Sequence, residues 1–296
     1  MPSTKEIADF LAVPLLGENL SGLKPNSLQA AGKNSIVFLG NDRPEDIERL
    51  NKLHKIACIT TTALSKHLPS CTVLIHEQPR LAFCKILERF FVPTRTPCHA
   101  TTATIASSAE IGVDVAIGPG SVIENGVSIG PGTRLGNNVT LAEGTAIGQN
   151  CIIKSNTTIG EPGFGFALDE KKRPIRFPHI GNVRLGNNVE IGANCTVVRA
   201  ALDTTILGDD VKTDDHVHIA HNAIIGPRTQ IAAGAVLSGS VKIGADVWIG
   251  PNATLSDYIS IGDGARIGIG SVVTRPVPPD TTVFGNPARR VPRKDS

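Results

Sequence analysis

Residues 123–153 read Ile123-Glu-Asn-Gly-Val-Ser-Ile129-Gly-Pro-Gly-Thr-Arg-Leu135-Gly-Asn-Asn-Val-Thr-Leu141-Ala-Glu-Gly-Thr-Ala-Ile147-Gly-Gln-Asn-Cys-Ile-Ile153, with an aliphatic residue at every sixth position. Ile105, Ile111 and Ile117 extend the phase backwards and Ile159 extends it forwards. In a chain that is 41% hydrophobic, ten apolar residues in one phase arise by chance about once in ten thousand trials. Neither a helix nor a hairpin sheet repeats every six residues, whereas short strands joined by sharp corners do; the period therefore predicts a β-helix. The pattern resumes at Leu185, Ile191 and Val197. It then slips phase and runs from Leu207 through Ile219, Ile225, Ile231, Leu237, Ile243, Ile249, Leu255, Ile261 and Ile267 to Val273, broken only by Thr213. Glycine most often follows the aliphatic residue, which suits a turn or a close backbone approach. About 25 hexads at three per coil predict roughly eight coils, about 40 Å long at ~4.8 Å per strand.

The two breaks in phase locate excursions. Between Ile159 and Leu185 the spacing is not a multiple of six, so the segment beginning Gly160-Glu-Pro-Gly163-Phe164-Gly165-Phe166 and ending at Pro178-His179 leaves the helix as a loop over about 160–184. Loops of that length inside compact domains are usually functional. The smaller slip between Val197 and Leu207 predicts a bulge.

Residues 1–98 carry no hexads and read as mixed α/β. Ser3 and Glu6 fit a capping box before a helix at 4–12. Strands are expected at 35–39, 56–59 and 72–75, and helices at 44–53 and 79–91, each helix opening on a proline. Val92 to Cys98 reads as a linker, so the expected domains are 1–98 and 99–296.

A net charge of +2 and 4% aromatic residues give no basis for a nucleic-acid partner. Six cysteines without a Cys-x-x-Cys pair read as reduced, mostly buried thiols. The polar N-terminus is not a signal peptide, and no apolar run reaches the ~18 residues of a transmembrane helix. A cytoplasmic protein is expected.

The densest polar cluster is Asp214-Asp-His216-Val-His218-Ile-Ala-His221-Asn222. Ile219 holds the inward hexad position, so alternation points His216 and His218 outward, and His221, near a corner, also faces out. Three readings fit: His221 as a general base, a zinc site, or a solvated polar face. His216 and His218 share one strand and lack a fourth ligand at ordinary spacing, so no metal is expected. No serine or cysteine stands beside His221 in sequence, so no acyl-enzyme is expected.

His218-Ile-Ala-His221-Asn222 resembles the Gln-Ile-(Ala/Gly)-His-Asn motif of the UDP-3-O-acylglucosamine N-acyltransferase family, whose members are left-handed β-helix acyltransferases of lipid A synthesis. Gly163-Phe164-Gly165-Phe166-Ala167 is similar to that family's Gly-Phe-Gly-(Tyr/Phe)-Ala loop. Ile180 to Val183, Val189 to Ala193 and Arg199 to Leu202 match further segments, and Ser35-Ile-Val-Phe38-Leu-Gly-Asn41 looks like its uridine-binding strand. The departures are His218 for a glutamine, Tyr258 for a second histidine, Pro44 for an aromatic residue, and an end without the family's C-terminal helices. Val283 to Val291 instead looks like the end of coenzyme-A-dependent sugar acetyltransferases.

The resemblance implies a fold of an α/β uridine-nucleotide-binding domain followed by a left-handed parallel β-helix. It implies transfer of an acyl group, a 3-hydroxyacyl group in the family, from a thioester to the amine of a UDP-linked amino sugar. His221 is the implied base, with Asp203 or Asp214 orienting its other nitrogen and with His218, Asn222 and Tyr258 in support. Phe38 stacks on the base, with Asn41 nearby, although Phe38 reads equally as a core strand residue. No bound cofactor is implied. The co-substrate is an acyl carrier protein or coenzyme A thioester, with Lys171, Lys172, Arg173, Arg289, Arg290, Arg293 and Lys294 as cations for it. A homotrimer is implied. A coenzyme-A-dependent sugar N- or O-acetyltransferase, or a non-catalytic β-helix binding protein, are the other classes.

Overall fold

The computed structural model describes residues 1–93 and 96–291. Two compact units divide the chain, Met1–Arg95 and Thr96–Ser296. The second begins earlier than the expected residue 99, because Cys98 and His99 already belong to its first coil: the Ile117 N–H donates to the Cys98 carbonyl, and His99 bridges to Ile117. Of the expected linker, Thr94 and Arg95 lie outside the described residues, as do Arg293 and Lys294 of the basic tail.

In the first unit, strands Ser35–Leu39, Ala57–Thr60 and Thr72–Ile75 pair in parallel at the centre of a five-stranded sheet. Lys24–Pro25 and Leu15–Leu16 close its edges, the latter antiparallel. Ile36 and Leu74 face one buried cluster; Val37, Leu39 and Val73 face the other. Burial on both faces explains why these strands read as unbroken apolar runs. Helix Thr4–Leu11 opens on the Ser3/Glu6 capping box. The expected helix 79–91 is α-helical only over Pro79–Ile86, and Leu87–Phe91 widens into a π-helical turn.

The second unit is the β-helix. Two-residue strands recur so that Ile129 lies beside Ile147 and Leu135 beside Ile153 in parallel, and of the described strands stacked in this way only the final one, Arg289–Arg290, pairs antiparallel. They stack into sheets of eight, nine and ten strands, a longer stack than the hexad count suggested. Nearly every hexad aliphatic residue is buried, and together they form one column with a second inward row that includes Val127, Val139 and Val189. Each buried side chain contributes on the order of 1.5–3 kcal/mol. Thr213, the polar break, is also buried; its Oγ1 accepts the Gly192 N–H at 3.0 Å, so no polar atom is stranded.

The corners lie three residues beyond each aliphatic position. Asn138, Asn150, His216, Asn222, Ser240 and Tyr258 all have φ between 54° and 60°, the left-handed conformation that asparagine tolerates best. His216 is therefore an exposed corner residue and not a strand residue, because strand Lys212–Thr213 has already ended and His218–Ile219 has not yet begun. The glycine after the aliphatic residue serves close approach: a Cβ on Gly130 would come 2.6 Å from the Gln149 nitrogen of the next coil.

Both excursions emerge at one place. Strands Asn182–Leu185 and Thr204–Leu207 are four residues long and pair in register, and the Ile180 N–H donates to the Ala201 carbonyl at 2.9 Å. Arg199 fastens the foot of the loop, donating from Nε to the Gly160 carbonyl and from its terminal nitrogen to the Glu143 carbonyl at 2.8 Å. The loop folds into a hairpin, Phe166–Leu168 against Pro174–Arg176.

Candidate active site

A cavity of about 530 Å³ opens beside the loop, lined among others by Gly163, Phe164, His218, His221, Gly239 and Tyr258. Strand His218–Ile219 puts Ile219 inward and His218 outward, and the chain then turns at Ala220 to His221 and the left-handed Asn222. Residues one coil and two coils further on complete the wall, which is why Ser238, Asp257 and Tyr258 meet His221 there.

The protonation geometry of His221 follows from its neighbours. The Ala201 N–H can only donate, and it points at Asn222 Oδ1 at 3.1 Å; that oxygen is therefore an acceptor. The same oxygen lies 3.1 Å from His221 Nδ1, so Nδ1 carries a proton and donates it. In the neutral ring the Nε2 lone pair is then free for the cavity. Ala201 belongs to the short phase slip, whose four extra residues thus hold the backbone donor that orients Asn222. Neither Asp203 nor Asp214, the expected orienting groups, bonds to the ring among the described residues. Asp203 is exposed and its carbonyl accepts the Asn182 N–H, whereas Asp214 lines a separate depression with Lys154, Lys212 and Trp248.

His218 Nδ1 lies 2.6 Å from the Thr196 hydroxyl on the coil below. Burial, and secondarily the nearby His221, hold the His218 pKa below the usual imidazole value. Ser238 shares the cavity, but among the described residues no hydrogen bond links it to His221. No three metal-ligating side chains converge among the described residues.

Of the loop motif, Gly163 and Phe164 line the cavity. Gly165 lies against His179, and Phe166 packs on Phe164 at 5.0 Å with the Arg176 guanidinium over its ring. In the first unit, Phe38 is half-buried against Phe83 at 5.2 Å, and Asn41 is exposed just past the strand. A depression of about 510 Å³ lined by Gly40, Gln78, Arg80 and Cys84 lies at that strand's C-terminal end, the usual ligand position in open parallel sheets.

Gly239 and Asp257 were not singled out by motif. They lie one and two coils beyond His221, and counting coils along the column would have found them. In the sequence His179 marks only the end of the loop; in the fold it is buried with its ring 5.2 Å from that of His221. No local pattern marks it, because its place depends on how the loop folds back.

The model for "Bacterial transferase hexapeptide (six repeats)" matches residues 126–161, 204–239 and 240–275, and "Hexapeptide repeat of succinyl-transferase" matches 182–213. UDP-3-O-acylglucosamine N-acyltransferase of Bordetella pertussis is 46% identical over 115 residues, 38% of this chain. That match spans only 32% of the curated relative's length. Among solved structures, LpxA from Acinetobacter baumannii superposes with a TM-score of 0.60 at 30% identity, covering 65% of this chain and 73% of the other. The UDP-N-acetylglucosamine acyltransferase of Francisella novicida gives 0.61 at 26% identity, covering 66% and 70%. With its hexad column, its parallel two-residue strands and these relatives, the chain belongs to the hexapeptide-repeat acyltransferases of the left-handed β-helix fold.

Proposed function

We propose that this protein is an N-acyltransferase that moves an acyl group from a thioester to the amine of a UDP-linked amino sugar, as in lipid A or surface-glycan synthesis. The observation that carries the reading is the hydrogen-bond chain from Ala201 through Asn222 to His221 Nδ1, which leaves Nε2 as a lone pair on the cavity. The Bordetella pertussis relative, an N-acyltransferase by name, supports an amine acceptor.

In the proposed step the sugar amine attacks the thioester carbonyl carbon and a C–N bond forms. His221 Nε2 takes the proton that the nitrogen loses. The negative charge collects on the former carbonyl oxygen, and we assign the Gly239 N–H, which no described residue engages, as the backbone donor for that oxyanion, because this glycine faces the His221 ring. Collapse breaks the C–S bond, and the His221 imidazolium returns its proton to the departing thiolate. No residue is acylated.

The first unit would hold the nucleotide, with Phe38 and Asn41 at the end of their strand. An acyl carrier protein is the donor we favour over coenzyme A. Lys171 and Lys172 on the loop and Arg289 and Arg290 on the last strand are exposed cations that suit an acidic partner. Arg173 is bonded to Asp169 and is less available. The paired exposed residues Ile206 and Ile224 offer apolar contact for a homotrimer. No helix among the described residues is long and apolar enough to cross a membrane, and the proposed place of action is the cytoplasm.

A second reading, acylation of a sugar hydroxyl, is favoured by the names of the solved relatives. The two separate in one assay. The protein is given an acyl thioester with either a UDP-sugar bearing a free amine or its N-acetylated counterpart with free hydroxyls. An amide product that survives hydroxylamine supports the proposal; a hydroxylamine-labile ester from the N-acetylated sugar rejects it for the second reading.

A further inference from the structure

We infer that His179, at the return of the excursion loop, is a positioning residue for His221. The inference rests on the reading of His221 as the base.

His179 is only 7% exposed, so its ring needs polar partners on both nitrogens or a reason to lack one. One partner is present: Nδ1 lies 2.9 Å from the Phe177 carbonyl, which can only accept, so Nδ1 carries the proton. The bond ties the ring to its own loop and turns the opposite edge towards the site. There the His179 and His221 rings meet edge to face, at 5.2 Å and 69°. The His221 ring is thus confined from three directions: Asn222 at Nδ1, the Gly239 backbone over one part of the ring, and His179 against it.

The glycines of the loop motif supply the space. A Cβ on Gly163 would come 2.7 Å from Val198 and 3.3 Å from both His179 Nε2 and His221 Cδ2. A Cβ on Gly165 would come 2.8 Å from His179 Cε1. Phe164, between them, lines the cavity. The Gly-Phe-Gly segment is therefore shaped around the His179 ring, and the loop and the base share a wall. The position of the loop beside the cavity and the placement of Nε2 both depend on where His179 stands.

The test separates this role from simple support of the loop. In His179→Asn the amide nitrogen takes the place of Nδ1 and keeps the bond to Phe177, while the ring edge against His221 is lost. His179→Ala loses both. With the full chain, an acyl thioester and the UDP-amino sugar, both variants are expected to lower kcat at least tenfold with the acceptor KM within threefold. The ¹⁵N imidazole signals of His221 are expected to shift in both, and thermal melts confirm that the Asn variant is folded. If His179→Asn keeps kcat within twofold and the His221 signals do not move, His179 only holds the loop and the inference falls. His221→Ala in the same series guards the underlying reading: turnover retained there removes the base itself, whatever the His179 variants do.

Discussion

Gly239 lies one coil beyond His221 with its α-carbon against the imidazole. A methyl group at that position would come 2.6 Å from Cε1 and 2.8 Å from Nε2. No side chain fits there without moving the base. Gly239→Ala is therefore expected to displace the His221 ring and lower kcat by about 10²-fold or more, the range for losing a general base or an oxyanion donor. The coil itself, held by the buried Leu237, stays folded. A variant with wild-type kcat and an unchanged melting temperature would show that the ring has room to move.

Asn222 has φ 60°, so replacement by alanine would mix backbone strain with loss of the amide. Asn222→Gly removes the side chain where glycine is at ease. We expect the melting temperature to change by a few degrees at most and kcat to fall about tenfold or more, because Nδ1 of His221 loses its acceptor. Steady-state kinetics beside a thermal melt check both; undiminished kcat would remove Asn222 from the site.

His218 gives a pH signature. Its folded pKa lies below the ordinary value of 6.5, through burial first and His221 second. The unfolded chain then binds a proton more readily than the folded one once the pH drops below about 6.5. Its contribution to stability is full above that value and is lost as the pH falls through the lowered folded pKa. His218→Gln should flatten the decline in melting temperature across this acid window; identical profiles for both proteins would contradict the account.

The six cysteines should divide by exposure. Cys84 and Cys98 are exposed, whereas Cys58, Cys71, Cys151 and Cys195 are buried. Burial pushes the Cys71 thiol up to about 11 and raises those of Cys58, Cys151 and Cys195 as well. A disulfide-exchange reagent at neutral pH is expected to titrate two thiols in the native protein and six in denaturant. Four fast native thiols would mean that a unit opens readily.

What was legible in the sequence was whatever repeats locally. The column from Ile105 to Val273 is set by a period that neither helix nor hairpin shares, and the break at Thr213 changes nothing because a hydroxyl satisfied by Gly192 is as compatible with burial as a methyl group. His221 and Asn222 were legible as a motif. Their relation to Ala201 was not, since the phase slip between Val197 and Leu207 has no pattern of its own and shows only that four residues are in excess. Alternation put His216 rightly on the outside but wrongly on a strand, because it sits at the corner between the two-residue strands Lys212–Thr213 and His218–Ile219. The orienting role given to Asp203 or Asp214 failed for a related reason: charge suggested a partner, whereas the fold supplied a neutral amide next in sequence. His179 needed the loop's return path, which no short-range rule specifies.

In the proposed reaction His221 removes the proton from an attacking amine. The most direct measurement is the turnover of His221→Ala against the wild-type protein on a UDP-linked amino sugar with an acyl thioester, with nucleotide affinity and melting temperature recorded for both. His221 is a half-buried wall residue of an open cavity, so truncation removes little packing. If His221 is the base, the variant loses about 10²–10⁴-fold in kcat with nucleotide binding and folding intact. A variant that keeps more than half of the wild-type rate would contradict it.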